Sequence, residues 1–285
     1  MDVFKDKKYL IVHADDAGLS YAHNKATIAV LKHGVVTSYS IMVPCPWFYE
    51  MAQFARANPK YDTGIHLTLT CEWKNYKFGP VLPISEVPSL VDAQGYFYPK
   101  RALLEQYAKP SHVAAELEAQ IKKALDFGIQ PTHMDSHMYS IGSSPEFLEI
   151  YKELGKKYRL PVLLNKEVFK MTGLSFEQHV NPTDLTVERL YIGNYSDFEK
   201  GTLATYYLDS LKDLQPGLNM MIIHPAYNTL EMQGITIDHP NFGGEWRQID
   251  VDTFTSEQCK EIIDQQHIEL ITWKEVAERY QQHTT

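Results

Sequence analysis

The sequence predicts an α/β protein built on a mainly parallel sheet, closed as a barrel or open and doubly wound. Three observations carry this. Apolar runs of strand length recur along the 285 residues, at 9–14, 35–43, 64–70, 160–164, 185–192, 219–224 and 267–272. Stretches with helical periodicity lie between them. Four clusters of polar, metal-competent side chains stand at the ends of apolar runs, which is where sites assemble in parallel α/β architectures.

The first run, YLIVHADDAGLS, ends in two adjacent carboxylates, Asp15 and Asp16. Neighbours on a strand face opposite sides, so a turn at 17–18 is expected to bring both to one site. Carboxylates that close repel unless a cation or a proton intervenes. A metal ligand beside a base would use both; the competing role is capping, by Asp16 or Ser20, of a helix expected over 24–33. In GIHLTLT, Ile65, Leu67 and Leu69 share one face, and His66, Thr68 and Thr70 the other. The polar face suits a barrel mouth or cleft, although His66 alone also reads as a hydrogen-bonded core histidine. The next helix is expected from an N-cap at Ser111 to a terminating Gly128, with Ala114, Leu117, Ile121 and Leu125 as its apolar face. In THMDSHM, His133, Asp135 and His137 share a face if the segment is extended. If it is helical, His133 and His137 still meet at i,i+4. Three such side chains in five residues point to chemistry rather than packing, with Asp135 or His133 holding a ligand from outside. A helix over 145–158 follows. His224 ends the run MMIIHP as a ligand, a general acid or a packed histidine. The tail over 256–280 reads helix, strand, helix and would close the structure.

The net charge of −9, with no long basic run, makes nucleic acid and anionic membrane poor partners. Three scattered cysteines, Cys45, Cys71 and Cys259, form no disulfide or zinc-finger pattern and fit a reducing cytoplasm. No segment has signal-peptide or membrane-spanning character, so a soluble cytoplasmic protein is expected. No repeat or low-complexity linker divides the chain. One domain is expected over 1–285, with aromatic-rich, irregular loop insertions near 71–99 and 225–251.

The donor inventory is Asp and His without Cys, which suits Zn, Mg, Mn, Co or Fe(II). Three protein ligands would leave a position for a water of lowered pKa. A spare carboxylate could take its proton and a spare histidine could deliver one, as in a metal-assisted hydrolase. No G-x-S-x-G elbow, P-loop or G-x-G-x-x-G occurs. Cys45 carries no marker of a reactive thiolate and reads as a small buried residue.

Taken in order, HADDAGLS, VVTSYSIMVP, GIHLTLT, PTHMDSH and IIHP resemble the motifs of the YdjC-like carbohydrate deacetylases, over roughly residues 9–225. Each motif is weak alone; the ordered set is specific. The resemblance implies a distorted (β/α) barrel, TIM-barrel-like, with one divalent metal ion at its mouth, Mg or Zn first and Mn or Co next. It implies hydrolytic removal of acetyl from an N-acetylated carbohydrate of chitooligosaccharide type, and a homodimer. Matched by position, Asp16, His66 and His137 are the metal ligands, Asp15 the base that activates water, and His224 the acid that protonates the departing amine. His133 and Asp135 take supporting roles. Tyr139, Trp73 and Trp246 are the aromatic candidates for substrate binding. Three departures bear on the substrate. Met138, Tyr139, Ser140 and Ile141 stand where the family usually continues with further histidine, and Ala226 where glycine often follows the His-Pro. Val162, Leu163, Leu164 and Asn165 stand where an arginine is common. The alternatives are another metal-dependent hydrolase or glycan-active enzyme on the same scaffold, told apart by its product, or a non-catalytic carbohydrate-binding protein. A base kept beside a metal ligand argues against the last.

Overall fold

In the computed structural model, which describes residues 3–284, the strands pair in parallel. They are β1 (Lys8–Ala17), β2 (Ser38–Ile41), β3 (Asp62–Leu67), β4 (His133–Ser136), β5 (Arg189–Ile192), β6 (Gly217–Ile223) and β7 (Glu269–Leu270). Their order is β4-β3-β2-β1-β6-β5, with β7 beside the start of β1. Side chains alternate between two apolar layers. Leu10, Val12, Ala14, Met221 and Ile223 join the core under the surrounding helices. Ile11, Leu218, Met220 and Ile222 join a second cluster with Leu163 and Trp273, inside the curl of the sheet.

The run at 160–164 does not become a regular strand. It makes one isolated bridge, Met134 to Val162. Pro161 has no N–H to offer a ladder, and the N–H of Leu163 is shared between Met134 O at 3.1 Å and the Tyr151 hydroxyl at 2.9 Å. The segment still spans the gap between β4 and β5, because Val187 N–H donates to Leu164 O at 3.0 Å. The result is the distorted (β/α) barrel expected from the motifs.

The helix Pro145–Tyr158 lies where periodicity placed it; Tyr21–His33 begins three residues before the expected 24–33, because Ser20 caps it through the backbone N–H of His23. Pro110–Asp126 is a helix too, but Lys109 rather than Ser111 precedes it, with Pro110 in its first turn. Its buried face is also rotated: Leu125 is 41% exposed, while Glu116 and Gln120 are fully buried. These two polar residues hold the loop over 71–99 and the end of β3. Glu116 accepts from Val81 and Leu82 N–H at 2.8 and 3.1 Å; Gln120 bonds both backbone groups of Thr68. The stretch 225–251, expected as irregular, instead contains the helix Leu230–Ile235 and most of Gly244–Thr255. The tail docks by its C-terminal helix, whose first N–H groups, from Trp273 and Lys274, donate to the Asp62 carboxylate at 3.0 and 3.2 Å. No helix among the described residues is long and apolar enough to cross a membrane.

Gly64 is required by close approach. A Cβ there would stand 2.2 Å from Nε2 of His133, which is fully buried and stacked on Trp273 with ring centroids 5.3 Å apart. Gly64→Ala is expected to destabilise the fold by about 1–3 kcal/mol, the usual cost of overpacking, read by urea unfolding. An unchanged midpoint would show that the imidazole moves aside freely.

Candidate active site

The two carboxylates reach one cavity through a bulge in β1. Pairing with β2 shifts register between Ala14 and Ala17, and Asp16 adopts φ +66°. Asp is among the residues that tolerate this left-handed conformation best. The reversal expected at 17–18 therefore begins inside the strand, at Asp16. At the end of β4, Met138 and Tyr139 are consecutively left-handed, with φ +53° and +47°. They turn the chain around the cavity and leave His137 facing it. His66 arrives from the end of β3, and His224 from just beyond β6.

The cavity, about 370 Å³, is lined by Asp15, Asp16, Glu72, Asp135, His137 and His224, among others. Asp16 Oδ1 lies 3.1 Å from His137 Nδ1 and 3.4 Å from His66 Nε2. Asp16, His66 and His137 offer donor atoms within 4.8 Å of one another. His66 Nδ1 is held by Asp135 Oδ1 at 2.8 Å, and His137 Nε2 by Glu72 Oε2 at 2.9 Å. Each imidazole thus has one nitrogen fixed by a carboxylate and the other turned towards Asp16, as metal-ligating histidines have. His66 Nε2 is buried without a hydrogen-bond partner. These residues fit a divalent ion of nitrogen and oxygen preference.

Beside this trio, Asp15 Oδ1 lies 3.1 Å from His13 Nε2, and Oδ2 lies 3.6 Å from His224 Nε2. His13 also meets Asp135 at 2.7 Å. Burial lowers the His13 pKa, but hydrogen bonds to Asp135 and Asp15 outweigh it and raise the value to about 9. His13 is therefore an imidazolium clamped between two carboxylates. Burial likewise opposes charge on His137, yet Glu72 and Asp16 win and raise it to about 9. For Asp16 burial favours the neutral acid, and Arg247 with His137 overrides it, holding the carboxyl well below its usual range. Arg247 Nη1 is 2.8 Å from Asp16 Oδ2 and 2.8 Å from His23 Nε2. Arginine cannot accept, so that His23 nitrogen is the acceptor and Nδ1–H donates to Ser20 Oγ. Burial drives His224 down to about 4, so it is neutral at pH 7 and must gain a proton before giving one. Its backbone N–H donates to Asp250, whose carboxyl is pushed up to about 7 by burial.

The other expected site residues divide. Tyr139 lines the cavity, its hydroxyl donating to Leu163 O at 3.3 Å. His133 is not at the cavity; it stands edge-on to His13, ring centroids 5.1 Å apart, and supports it from behind. Trp73 and Trp246 are fully buried and present no face to substrate. Trp73 packs under the Arg247 guanidinium and Trp246 under Phe242, so they brace the wall rather than stack on a sugar. His13, Glu72, Arg247 and Asp250 were absent from the expected set. His13 had a signal, being two positions before Asp15 on the same strand. The other three reach the site from a loop and a helix far along the chain, and no local pattern marks them.

The family model described as YdjC-like protein matches residues 9–265. A carbohydrate deacetylase of Thermoanaerobacter pseudethanolicus is 33% identical over 234 residues, 81% of this chain and 86% of its own. One from Enterococcus faecalis is 31% identical over 278 residues, 95% of this chain and 98% of its own. A crystal structure from Enterococcus faecalis, of a protein described in terms of cellobiose-phosphate cleavage, superposes with a TM-score of 0.78 at 29% identity, covering 95% and 99% of the two chains.

The His13 clamp predicts a pH dependence of the metal-free protein. A group whose folded pKa is raised stabilises fully below its unfolded value of 6.5 and loses that contribution as pH rises through about 9. Urea unfolding in chelator should show the advantage of wild type over His13→Asn shrinking by up to about 3 kcal/mol between pH 6 and 10. A difference that stays constant with pH would mean the imidazole is neutral in the fold.

Proposed function

The chain belongs to the YdjC-like protein family, and from that premise we propose that it is a metal-dependent carbohydrate deacetylase. It would remove acetyl from an N-acetylated saccharide, of chitooligosaccharide type by resemblance. The observation that carries this reading is the pairing of Asp15 with His224 across 3.6 Å, beside a three-donor set. That pairing would set a base and an acid side by side at one reacting centre. The same reading takes the protein as one cytoplasmic domain over 1–285 that forms a homodimer.

Asp16, His66 and His137 would hold the ion. When bound, a divalent ion supplies Lewis acidity, lowering the pKa of a water and polarising the acetyl carbonyl. Asp15 Oδ2 takes the proton of the attacking water. His13 and Asp135 hold Asp15 and His66 in register for this. Because His224 begins neutral, the proton gained by Asp15 is the one it relays, across the short gap, to the departing nitrogen. Arg247 keeps Asp16 ionised and aimed. The buried walls exclude bulk water, which strengthens each of these interactions. Products are acetate and an amino sugar.

The test is acetate release from N-acetylated mono- and disaccharides by protein stripped of metal and reloaded with Mg, Zn, Mn or Co. Asp15→Asn should lower kcat by about 10²–10⁴-fold while still binding metal. His66→Ala should lose metal and activity together. Acetate release by the chelated protein would sink the metal assignment. Glu72→Gln should weaken divalent-ion binding about 10–100-fold, the usual effect of removing a carboxylate behind a ligating histidine, by calorimetry without substrate. Unchanged affinity would show that Glu72 does not orient His137.

A further inference from the structure

The cavity has a second half that the deacetylase reading leaves unused. Besides the carboxylates, its lining is apolar at Leu163, Leu190, Ile192 and Ile222, and at Val168 and Met171. Leu163 and Ile222 belong to the apolar cluster inside the barrel, and Leu190 and Ile192 pack against it while still only partly buried. The cavity therefore continues from the reacting groups down into the barrel, between β5, β6 and the irregular segment 160–164.

Position says which part of a substrate enters. Ile222 precedes His224 by two residues on the same face, and pairs with Ile192 in register; Leu190 pairs with Met220 one layer deeper. The slot thus begins under the acid–base pair. The acyl carbon is the atom under attack there, so its alkyl substituent is the group next to the slot. A sugar ring turned into it would bury hydroxyls without partners, at substantial cost. Glu72, Arg101, His239 and Asn241, which line the polar part, are where hydroxyls would be satisfied. The slot is also deep. Leu190 and Ile192 are separated by about 6.6 Å of strand rise, which is more than one methyl group fills.

We propose, on the basis of the deacetylase reading above, that the enzyme prefers N-acyl sugars whose acyl chain is longer than acetyl, about the size of butyryl, with that chain held against Leu190, Ile192 and Ile222. Water's oxygen bonds to the acyl carbon and the C–N bond breaks. The nitrogen keeps the bonding pair and takes a proton, and a short-chain carboxylic acid and an amino sugar leave. No co-reactant other than water is needed.

The experiment is release of free amine from glucosamine and chitobiose carrying N-acetyl, N-propionyl, N-butyryl or N-hexanoyl groups, using the full chain reloaded with each divalent ion. A methylene in a matching pocket is worth about tenfold or more in kcat/KM, so the N-butyryl sugar should exceed the N-acetyl sugar by at least that factor. Leu190→Trp should fill the slot and lower the butyryl-to-acetyl ratio about tenfold or more. A wild-type ratio of one or less, with acetate released, would overturn the slot and leave the deacetylase standing. A ratio untouched by Leu190→Trp in folded protein would overturn it as well. Amine from none of the series would overturn both readings.

Discussion

Four carboxylates, from Asp15, Asp16, Glu72 and Asp135, converge on one buried cavity, and the rest of the structure answers that constraint. Like charges at such separations cannot all stay ionised in a dry site without compensation. The chain provides it with His13 between Asp15 and Asp135, His137 between Asp16 and Glu72, and Arg247 against Asp16. Arg247 is itself buried, and it also donates to His23 and to the carbonyl of Phe242. Each cation therefore bridges partners from different segments of the chain, strand, helix or loop, so the electrostatics of the site also tie the barrel mouth together.

Backbone conformation makes the convergence geometrically open to a parallel sheet. Alternation would send Asp15 and Asp16 to opposite faces; the bulge at Asp16 suspends that rule for one residue. The two left-handed residues after His137 do the equivalent at β4. Such conformations cost of order 1–3 kcal/mol each and persist where surroundings over-determine them. Here Asp16 is fixed by Arg247, and Tyr139 by its bond to Leu163 O.

The same irregularity that distorts the barrel shapes its cavity. Had 160–164 formed a full strand, it would have paired β4 and β5 evenly and let their inner side chains close over the core. Instead Pro161 and the Tyr151 hydroxyl interrupt the ladder, and all four residues of β5 remain only partly buried. The apolar interior is left accessible from the reacting groups. The polar and the apolar residues that line the cavity meet beside this break in pairing.

The parallel α/β class, the strand-end positions of Asp15, Asp16, His66, His137 and His224, and the helices at 21–33 and 145–158 were legible because each depends on local order: alternation, 3.6-residue periodicity and capping. The reading of Pro110–Asp126 was displaced because Glu116 and Gln120 are polar yet buried, and their partners, backbone groups at 68 and 81–82, lie outside any local window. Trp73 and Trp246 misled for the opposite reason: aromatic composition says that a ring will be buried against something, and only packing says whether that is a ligand or the protein's own wall. Sequence determined which ligand-type side chains exist and that strands deliver them to one end. Tertiary structure decided which of them face one another, because the distances between Asp16, Arg247, Glu72 and His137 are set by how strands, loop and helix close on each other, and no spacing along the chain encodes that closure.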